Sequence, residues 1–252
     1  PFMCCVRESC AEGHNEKATF TGPNCGKEVL DWVLEHCTEV GTLPIVYFHN
    51  LSYDINFMMK YGITSAVNRN SLILQADFQY NGRQIRLKDS YGLLSMPLRS
   101  MARSFKIEIE KEIFPYTYYS PERIASNKGD VDKVFELEKG WSDTEKTQFI
   151  ENLRRMGEDD LHAFNLMRYA QFYCERDVDV LQRCIDLFHE QIQSSFDIDC
   201  HRVISISSIA DQYLRKTVYY PFGQMYLYSN HIRDFLLDAV HGGRVMCARN
   251  ER

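Results

Sequence analysis

The sequence lacks a hydrophobic run long enough to cross a membrane. A membrane-spanning helix needs about 20 consecutive apolar residues, and no stretch of these 252 residues approaches that length. No signal-peptide pattern opens the chain either. We therefore expect no membrane partner.

An excess of positive charge is also missing. The chain has 29 Lys and Arg residues against 35 Asp and Glu residues, which gives a formal net charge of -6. Proteins that coat polyanions along their length usually carry a strongly basic surface. The composition disfavours that class, so a nucleic-acid site in this chain has to be local.

The cysteine pattern also argues against a complete set of disulfides. The sequence has nine cysteines at irregular spacing, and an odd number cannot all be paired within the chain. We expect an intracellular reducing compartment, with cytoplasm, nucleus, mitochondrion and virus-associated locations all left open. The N-terminal residues Cys4, Cys5, Cys10, His14 and Cys25 have zinc-ligand chemistry, but their spacing does not fit paired-ligand motifs. Free thiols are the preferred interpretation over structural zinc. Four other cysteines are interpreted as core or incidental positions: Cys174, Cys184, Cys200 and Cys247.

Helical and strand patterns alternate in the first half of the chain. Asn24 is a predicted N-cap for an amphipathic helix that runs through Leu34, and residues 44–48 are a predicted buried strand. The dipeptide Asn81-Gly82 between residues 71–79 and residues 83–89 predicts a hairpin with a two-residue type I′ turn.

The second half is predicted to be mainly helical. Pro97 fits the first turn of a helix that ends near Phe105. Residues 127–160 are charge-rich and are predicted to form a surface insertion, with a capping box at Ser142 and Glu145. The other predicted elements are a helix over residues 161–192, a strand at residues 203–207, a helix from His231, and a domain boundary near residue 200.

Two aspartates far apart in the sequence suit metal-dependent phosphodiester chemistry. Asp54 ends the segment HNLSYD, and Asp177 ends YCERD. Carboxylates from separate elements can hold a pair of divalent ions, which activate water and stabilise a leaving oxygen. Tyr173 lies four residues before Asp177, so both side chains leave one face of a helix. Two carboxylates are few ligands for two hard cations, and we expect further acidic ligands.

Aromatic residues surround the first aspartate. Tyr47, His49, Tyr53 and Phe57 cluster around the end of the predicted strand. Single-stranded nucleic acids stack their bases on such rings. Ordinary core packing is the alternative for some of them.

Five motifs in one order carry a resemblance to a known family. They are HNLSYD, KDSYGLLSMPL from Lys88, KEIFPY from Lys111, YCERDVDVL from Tyr173, and HGGR from His241. The series resembles the protein-primed family B DNA polymerases of phages, adenoviruses, linear plasmids and Polinton-like elements. The resemblance extends from about Cys10 to the end of the chain.

The resemblance implies an α/β fold. Residues 1–200 would be an RNase H-like 3′-5′ exonuclease domain, a mixed sheet flanked by helices, and residues 201–252 the start of a polymerase palm region. By this resemblance Asp54 and Asp177 bind Mg²⁺ or Mn²⁺, and Tyr173 assists the attacking water. Lys111 contacts the scissile phosphate, with a solvated surface lysine as the alternative.

The resemblance also implies two DNA contacts and a protein partner. The single-stranded primer 3′ end would lie on His49, Asn50, Leu51, Tyr53, Phe57, Ser90 and Tyr91, although Leu51 and Phe57 are equally compatible with the core. The template strand would lie on His241, Gly242, Gly243 and Arg244, for which a helix C-cap is the alternative. Val240 stands where the family has a tyrosine. A terminal protein would prime synthesis.

Two family features are not found in the sequence. The first acidic exonuclease motif is expected upstream of Pro1, and the palm aspartates of the later motifs do not occur. The chain is therefore interpreted as a fragment with an incomplete metal site that does not polymerise alone. Two alternatives remain: an inactive single-strand-binding module of a decayed element, and a stand-alone exonuclease with tyrosine in its third motif.

Overall fold

A computed structural model describes residues 2–9, 15–37, 42–107, 113–219, 221 and 230–239. Two compact units, Pro1–Ile209 and Ala210–Arg252, make up the chain. The described strands are β1 (Met3–Arg7), β2 (Lys17–Thr21), β3 (Ile45–Phe48), β4 (Ile63–Arg69), β5 (Leu72–Tyr80), β6 (Arg83–Asp89), β7 (Lys128–Gly129) and β8 (Phe164–Asn165). The described helices are α1 (Cys25–His36), α2 (Leu51–Met58), α3 (Ser90–Leu93), α4 (Leu98–Ser104), α5 (Pro121–Ser126), α6 (Val131–Leu137), α7 (Asp143–Arg155), α8 (Leu166–Phe196), α9 (Ile206–Leu214) and α10 (Asn230–Ala239).

The central sheet of the first unit is mixed, with strand order β3-β6-β5-β4. Strands β5 and β6 form the predicted hairpin, and Asn81 and Gly82 both have positive φ angles, of 48° and 76°. These residue types tolerate the left-handed region that a type I′ turn requires. Strand β3 pairs in parallel with β6. The mixed α/β fold predicted from the sequence is confirmed.

The main core lies between the central sheet and the helices α1 and α2. Leu30 of α1 and Ile55 of α2 are buried with Phe78, Ile85 and Leu87 from the hairpin strands. The predicted first helix is confirmed, although the Asn24 side chain makes no capping hydrogen bond. This core fixes the direction in which α2 leaves the sheet.

The long helix α8 contributes a second core. Val180, Cys184 and Phe188 recur every four residues, so they form one apolar stripe that packs with Leu98 and Met101 of α4. Ion pairs also connect α8 to the small β1–β2 sheet, with Arg7 Nη1 lying 2.6 Å from Asp179 Oδ1. Both predicted helices are confirmed, and α8 is displaced toward the C-terminus from its predicted bounds.

The prediction of a surface insertion at residues 127–160 was wrong in one respect. The segment does contain helices, and the capping box of Ser142 and Glu145 is present at the start of α7. However, Phe149 and Leu153 are fully buried and pack with Phe164 and Tyr169 in a third hydrophobic cluster. Most of the few large apolar residues of the segment pack into this cluster, although Leu137 is 38% exposed, so a low apolar content still produced a core.

The predicted strand at residues 203–207 was also wrong. Val203 follows a 3₁₀ turn, Cys200–Arg202, as its C-cap, and Ile206 begins helix α9. The Ser205 hydroxyl accepts a hydrogen bond from the backbone N–H of Ser208 at 3.3 Å, which favours a helix start. Local serine capping therefore prevailed over the alternating apolar pattern.

The second unit, Ala210–Arg252, is described in part. It includes the end of α9, a π-helical turn at Arg215–Tyr219, and α10. Helix α10 confirms the prediction of a helix from His231, and the domain assignment at residue 200 stays a prediction. None of the described helices combines the length and the apolar character that a bilayer crossing requires.

Candidate functional site

The candidate site begins where the parallel strands β3 and β6 end side by side. Phe48 pairs with Asp89 in the sheet register, so the next residues, His49 and Ser90, are neighbours. His49 Nδ1 lies 3.0 Å from Ser90 Oγ, and the Ser90 hydroxyl donates to the Phe48 carbonyl at 2.9 Å. The two sequence motifs that carry these residues therefore form one structural unit.

Asp89 holds this strand end together, and the sequence reasoning did not identify it. Its Oδ1 accepts the backbone N–H of Asn50 at 2.9 Å and that of Tyr91 at 3.0 Å. Asn50 has a left-handed backbone with φ of 72°, a conformation that asparagine tolerates. Asp89 is 1% exposed, and its Oδ2 is buried without a hydrogen-bond partner in the described residues. The signal available in the sequence was an aspartate directly before Ser90.

Asp54 lies in the first turn of α2 and is half-buried. Burial, and to a smaller extent the charge of the nearby Asp89 carboxylate, raise the pKa of its carboxyl to about 6. Two carboxylates held near each other without a cation disfavour the charged form of one of them. A divalent cation at this place would reverse that effect.

Tyr173 and Asp177 lie one turn apart on α8, as predicted. Burial raises the pKa of Tyr173, and the Asp177 carboxylate contributes by charge and by hydrogen bonding. The Tyr173 hydroxyl lies 2.7 Å from the hydroxyl of Tyr116, which is 67% exposed. Phe114 packs on Tyr173 with ring centroids 4.7 Å apart. The phenol is therefore held in one orientation and remains neutral at physiological pH.

The rings predicted to stack on DNA differ in exposure. Tyr53 is 65% exposed and Phe57 is 36% exposed, and their rings meet edge to face with centroids 5.7 Å apart. The His49 and Tyr91 rings also meet edge to face at 5.7 Å. These four rings remain candidates for base stacking.

Two of the predicted DNA contacts lie in the interior instead. Leu51 is fully buried in the main core, which is the alternative that the sequence left open for it. Ser90 is also fully buried, and its hydroxyl bonds within the protein. Its place in this structure is to orient His49 and not to face a ligand.

Several predicted residues lie outside the described part of the chain. They are Cys10, His14, Lys111, His241, Gly242, Gly243 and Arg244. In the N-terminal cysteine group, Cys4 Sγ lies 3.5 Å from Cys25 Sγ, and Cys5 Sγ lies 3.3 Å from the Thr19 hydroxyl. Cys4 and Cys5 therefore have different side-chain neighbours, although they are adjacent in the sequence.

The donor chemistry of Asp54 and Asp177 fits a hard divalent cation. Both are carboxylates, the ligands that Mg²⁺ and Mn²⁺ prefer, and the Asp89 carboxylate, whose Oδ2 is buried without a hydrogen-bond partner in the described residues, acts on Asp54 as a nearby negative charge. In the described residues, neither aspartate belongs to a group of three or more potential ligands within 4.8 Å of one another. A complete site therefore requires additional ligands.

Comparison with known proteins agrees with the motifs. Residues 44–251 match the family described as DNA polymerase type B, organellar and viral. This chain belongs to that family. A protein of Ascobolus immersus, named "Probable DNA polymerase", is 25% identical over 174 residues, which cover 65% of this chain and 14% of the relative. The predicted resemblance to family B polymerases is thereby confirmed.

Solved structures show the same fold in a polymerase. Phi29 DNA polymerase in complex with primer-template DNA and incoming nucleotides matches with a TM-score of 0.54 at 14% identity, over 94% of this chain and 38% of that polymerase. Its orthorhombic crystal form matches with a TM-score of 0.53 at 16% identity, over 96% and 38%. The type B polymerase chain thus spans well under half the length of these relatives.

Proposed function

We propose that this type B polymerase chain contains a 3′-5′ proofreading exonuclease domain at residues 1–200 and the start of a polymerase domain at residues 201–252. The observation that carries the proposal is the pair of carboxylates at one strand end, Asp54 and Asp89, together with the tyrosine–aspartate pair on α8. Such an arrangement suits hydrolysis of a terminal phosphodiester.

Asp54 and Asp177 would hold Mg²⁺ or Mn²⁺, which activates water and stabilises the leaving oxygen. The Tyr173 hydroxyl, held by Tyr116 and Asp177, orients the attacking water. Asp89 orders the segment that carries Asp54 by binding the Asn50 backbone N–H. Lys111 is proposed to contact the scissile phosphate.

Further acidic ligands are proposed to come from a strand beside β3. In the described sheet β3 is an edge strand, and an edge presents unpaired backbone groups that accept another strand. An acidic pair on such a strand would complete the ligand set.

The proposed partners are DNA strands and a terminal protein. The single-stranded primer end would stack on Tyr53, Phe57, His49 and Tyr91, and Asn50 would donate hydrogen bonds to it. The template would run along His241–Arg244. Structures of phi29 DNA polymerase with single-stranded DNA and with primer-template DNA support the DNA partners, and protein priming rests on the motif resemblance. A reducing intracellular compartment is proposed.

The test is manganese-dependent degradation of 5′-labelled single-stranded DNA by a chain extended upstream with an acidic pair. Cleavage is expected from the 3′ end, with a loss of at least about a hundredfold in Asp54→Ala and in Asp177→Ala, because each removes a metal ligand. Glu190→Ala is the matched control, since Glu190 is an exposed carboxylate on the same helix as Asp177.

The outcomes separate the remaining interpretations. A folded extended chain that binds single-stranded DNA and never cuts it would favour an inactive binding module. Cleavage that survives both aspartate substitutions would place the metal site elsewhere. Cleavage by a protein whose longer sequence lacks palm aspartates would favour a stand-alone exonuclease.

A further inference from the structure

A second group of potential ligands lies where α8 ends and the chain turns back. Helix α8 stops at Phe196, and Asp197 adopts a left-handed conformation with φ of 53°. The following 3₁₀ turn, Cys200–Arg202, is ordered by Asp199 Oδ1, which accepts the His201 N–H at 2.9 Å. This reversal returns the turn to the side of α8 that carries His189.

Three side chains of metal-binding chemistry meet at this reversal. One ligand atom of each of His189, Cys200 and His201 lies within 4.8 Å of those of the other two. Cys200 Sγ is 3.4 Å from His189 Nδ1. Two ligands of one tetrahedral zinc ion, with Zn–S of about 2.3 Å and Zn–N of about 2.0 Å, lie roughly 3.5 Å apart. The observed separation suits a shared ion without rearrangement.

The second histidine is already oriented by the protein. His201 Nδ1 lies 3.0 Å from the Tyr47 hydroxyl, which leaves Nε2 as the nitrogen for an ion. Metal-binding histidines usually bond their other ring nitrogen to a polar group in this way.

The cysteine and a carboxylate complete the donor set. Cys200 is fully buried. A divalent ion deprotonates a coordinating thiol despite such surroundings. Asp199 Oδ1 lies 3.9 Å from His189 Nδ1. One sulfur and two nitrogens lie together here, and an oxygen from Asp199 would complete a tetrahedral set typical of zinc.

We propose that His189, Cys200 and His201, with Asp199 as the fourth ligand, form a structural zinc site. It is separate from Asp54 and Asp177 and does not rest on the proposed exonuclease activity. The ion would attach the turn after α8 to the helix itself. Through Tyr47 it would also support β3, two residues before His49.

The test measures bound zinc in the purified protein by mass spectrometry after desalting. About one zinc ion per chain is expected in the wild type. Loss of nearly all of it is expected in Cys200→Ser and in His189→Gln, with the fold checked by circular dichroism. Cys184→Ala is the matched control, because Cys184 is equally buried in the same hydrophobic cluster and makes no part of the ligand group. It should retain the zinc.

Cobalt substitution of the wild type gives a second readout that needs no variant to fold. Tetrahedral Co²⁺ absorption with a thiolate-to-cobalt charge-transfer band is expected, because a Cys₁His₂Asp set provides one sulfur ligand. A folded wild type without zinc, or cobalt spectra without a thiolate band, overturns the proposal. Zinc content unchanged in a folded Cys200→Ser variant also overturns it, since the ion would then lie elsewhere, for example at the N-terminal cysteines.

Discussion

The end of β6 contains a buried carboxylate, and the unfavourable free energy of burying it is not explained by ordinary packing. Asp89 is almost completely buried, and its Oδ2 accepts no hydrogen bond within the described residues. Its charge also raises the pKa of Asp54. Buried polar groups without partners and carboxylates with shifted pKa values concentrate at functional sites. The arrangement therefore supports the proposed cation site at this strand end.

Replacing Asp54 by asparagine should stabilise the metal-free protein at high pH. The pKa of Asp54 rises from its ordinary value of 3.8 to about 6 on folding, so the folded state binds the proton more tightly. The wild type therefore loses stability as the pH rises through about 6. In EDTA at pH 8, Asp54→Asn should be more stable by about 1–3 kcal/mol, and the difference should vanish below about pH 4.

Thermal denaturation between pH 4 and pH 8 measures this effect, with Glu190→Gln as the control that should follow the wild type. Addition of Mg²⁺ should stabilise the wild type and not Asp54→Asn, since binding to the folded state raises stability by mass action. If Asp54→Asn were less stable than the wild type at pH 8 in EDTA, this would contradict the prediction that the charged Asp54 carboxylate destabilises the metal-free folded protein.

Removal of the exposed ring of Tyr53 should weaken binding of single-stranded DNA. The ring is 65% exposed and is positioned by Phe57. One base stacked on an aromatic ring contributes about 1–3 kcal/mol, so Tyr53→Ala should raise the Kd of an oligonucleotide about tenfold. Fluorescence anisotropy of a labelled oligonucleotide measures this Kd. Phe196→Ala, which removes a 38% exposed ring at the end of α8, should leave the Kd within about twofold of the wild type.

At the scale of elements, local signals determined what the sequence could predict. The β5–β6 hairpin was predictable because Asn81 and Gly82 both favour the left-handed backbone of its turn. The Tyr173–Asp177 pair was predictable because four-residue spacing places side chains on one helix face. Asp89 was not predictable in its full role. Its bond to the Tyr91 N–H is a local helix cap, but Asn50 reaches it only when β3 pairs with β6.

The third hydrophobic cluster was likewise not predictable from local sequence signals. Its apolar residues are too sparse to reveal a core by periodicity, and only tertiary contacts bring Phe149 of α7 to Phe164 and Tyr169. Gly129 matters here for a reason invisible in the sequence. A Cβ atom at this position would collide with the ring of Phe164, which lies directly over it.

Gly129→Ala should therefore destabilise the first unit, while Gly140→Ala should not. A Cβ at Gly140 meets no atom within 4 Å, so it is a matched control in the same segment. Overpacking of a rigid core costs about 1–3 kcal/mol. Chemical denaturation should show that loss for Gly129→Ala and a change within about 0.5 kcal/mol for Gly140→Ala. Equal stabilities of the two variants would contradict the observed packing of Phe164 on Gly129.

At the scale of the whole molecule, the acidic balance restricts how the proposed DNA partner can be held. A net charge of -6 opposes the approach of a polyanion, so an affinity built mainly on phosphate contacts is disfavoured. The exposed rings near the strand ends provide the alternative, because stacking needs no net positive charge. Base contacts should then carry a larger share of the binding free energy than in a basic protein.

The salt dependence of binding tests this balance directly. For single strands the slope of log K against log salt is about -0.7 per neutralised phosphate. Contact with roughly two phosphates predicts a slope near -1.4, and an abasic oligonucleotide of equal length should bind at least about tenfold more weakly because it lacks the stacked bases. Titrations at several salt concentrations measure both quantities. A slope steeper than about -4, with equal affinity for the abasic strand, would show that phosphate contacts dominate and that the exposed rings have another purpose.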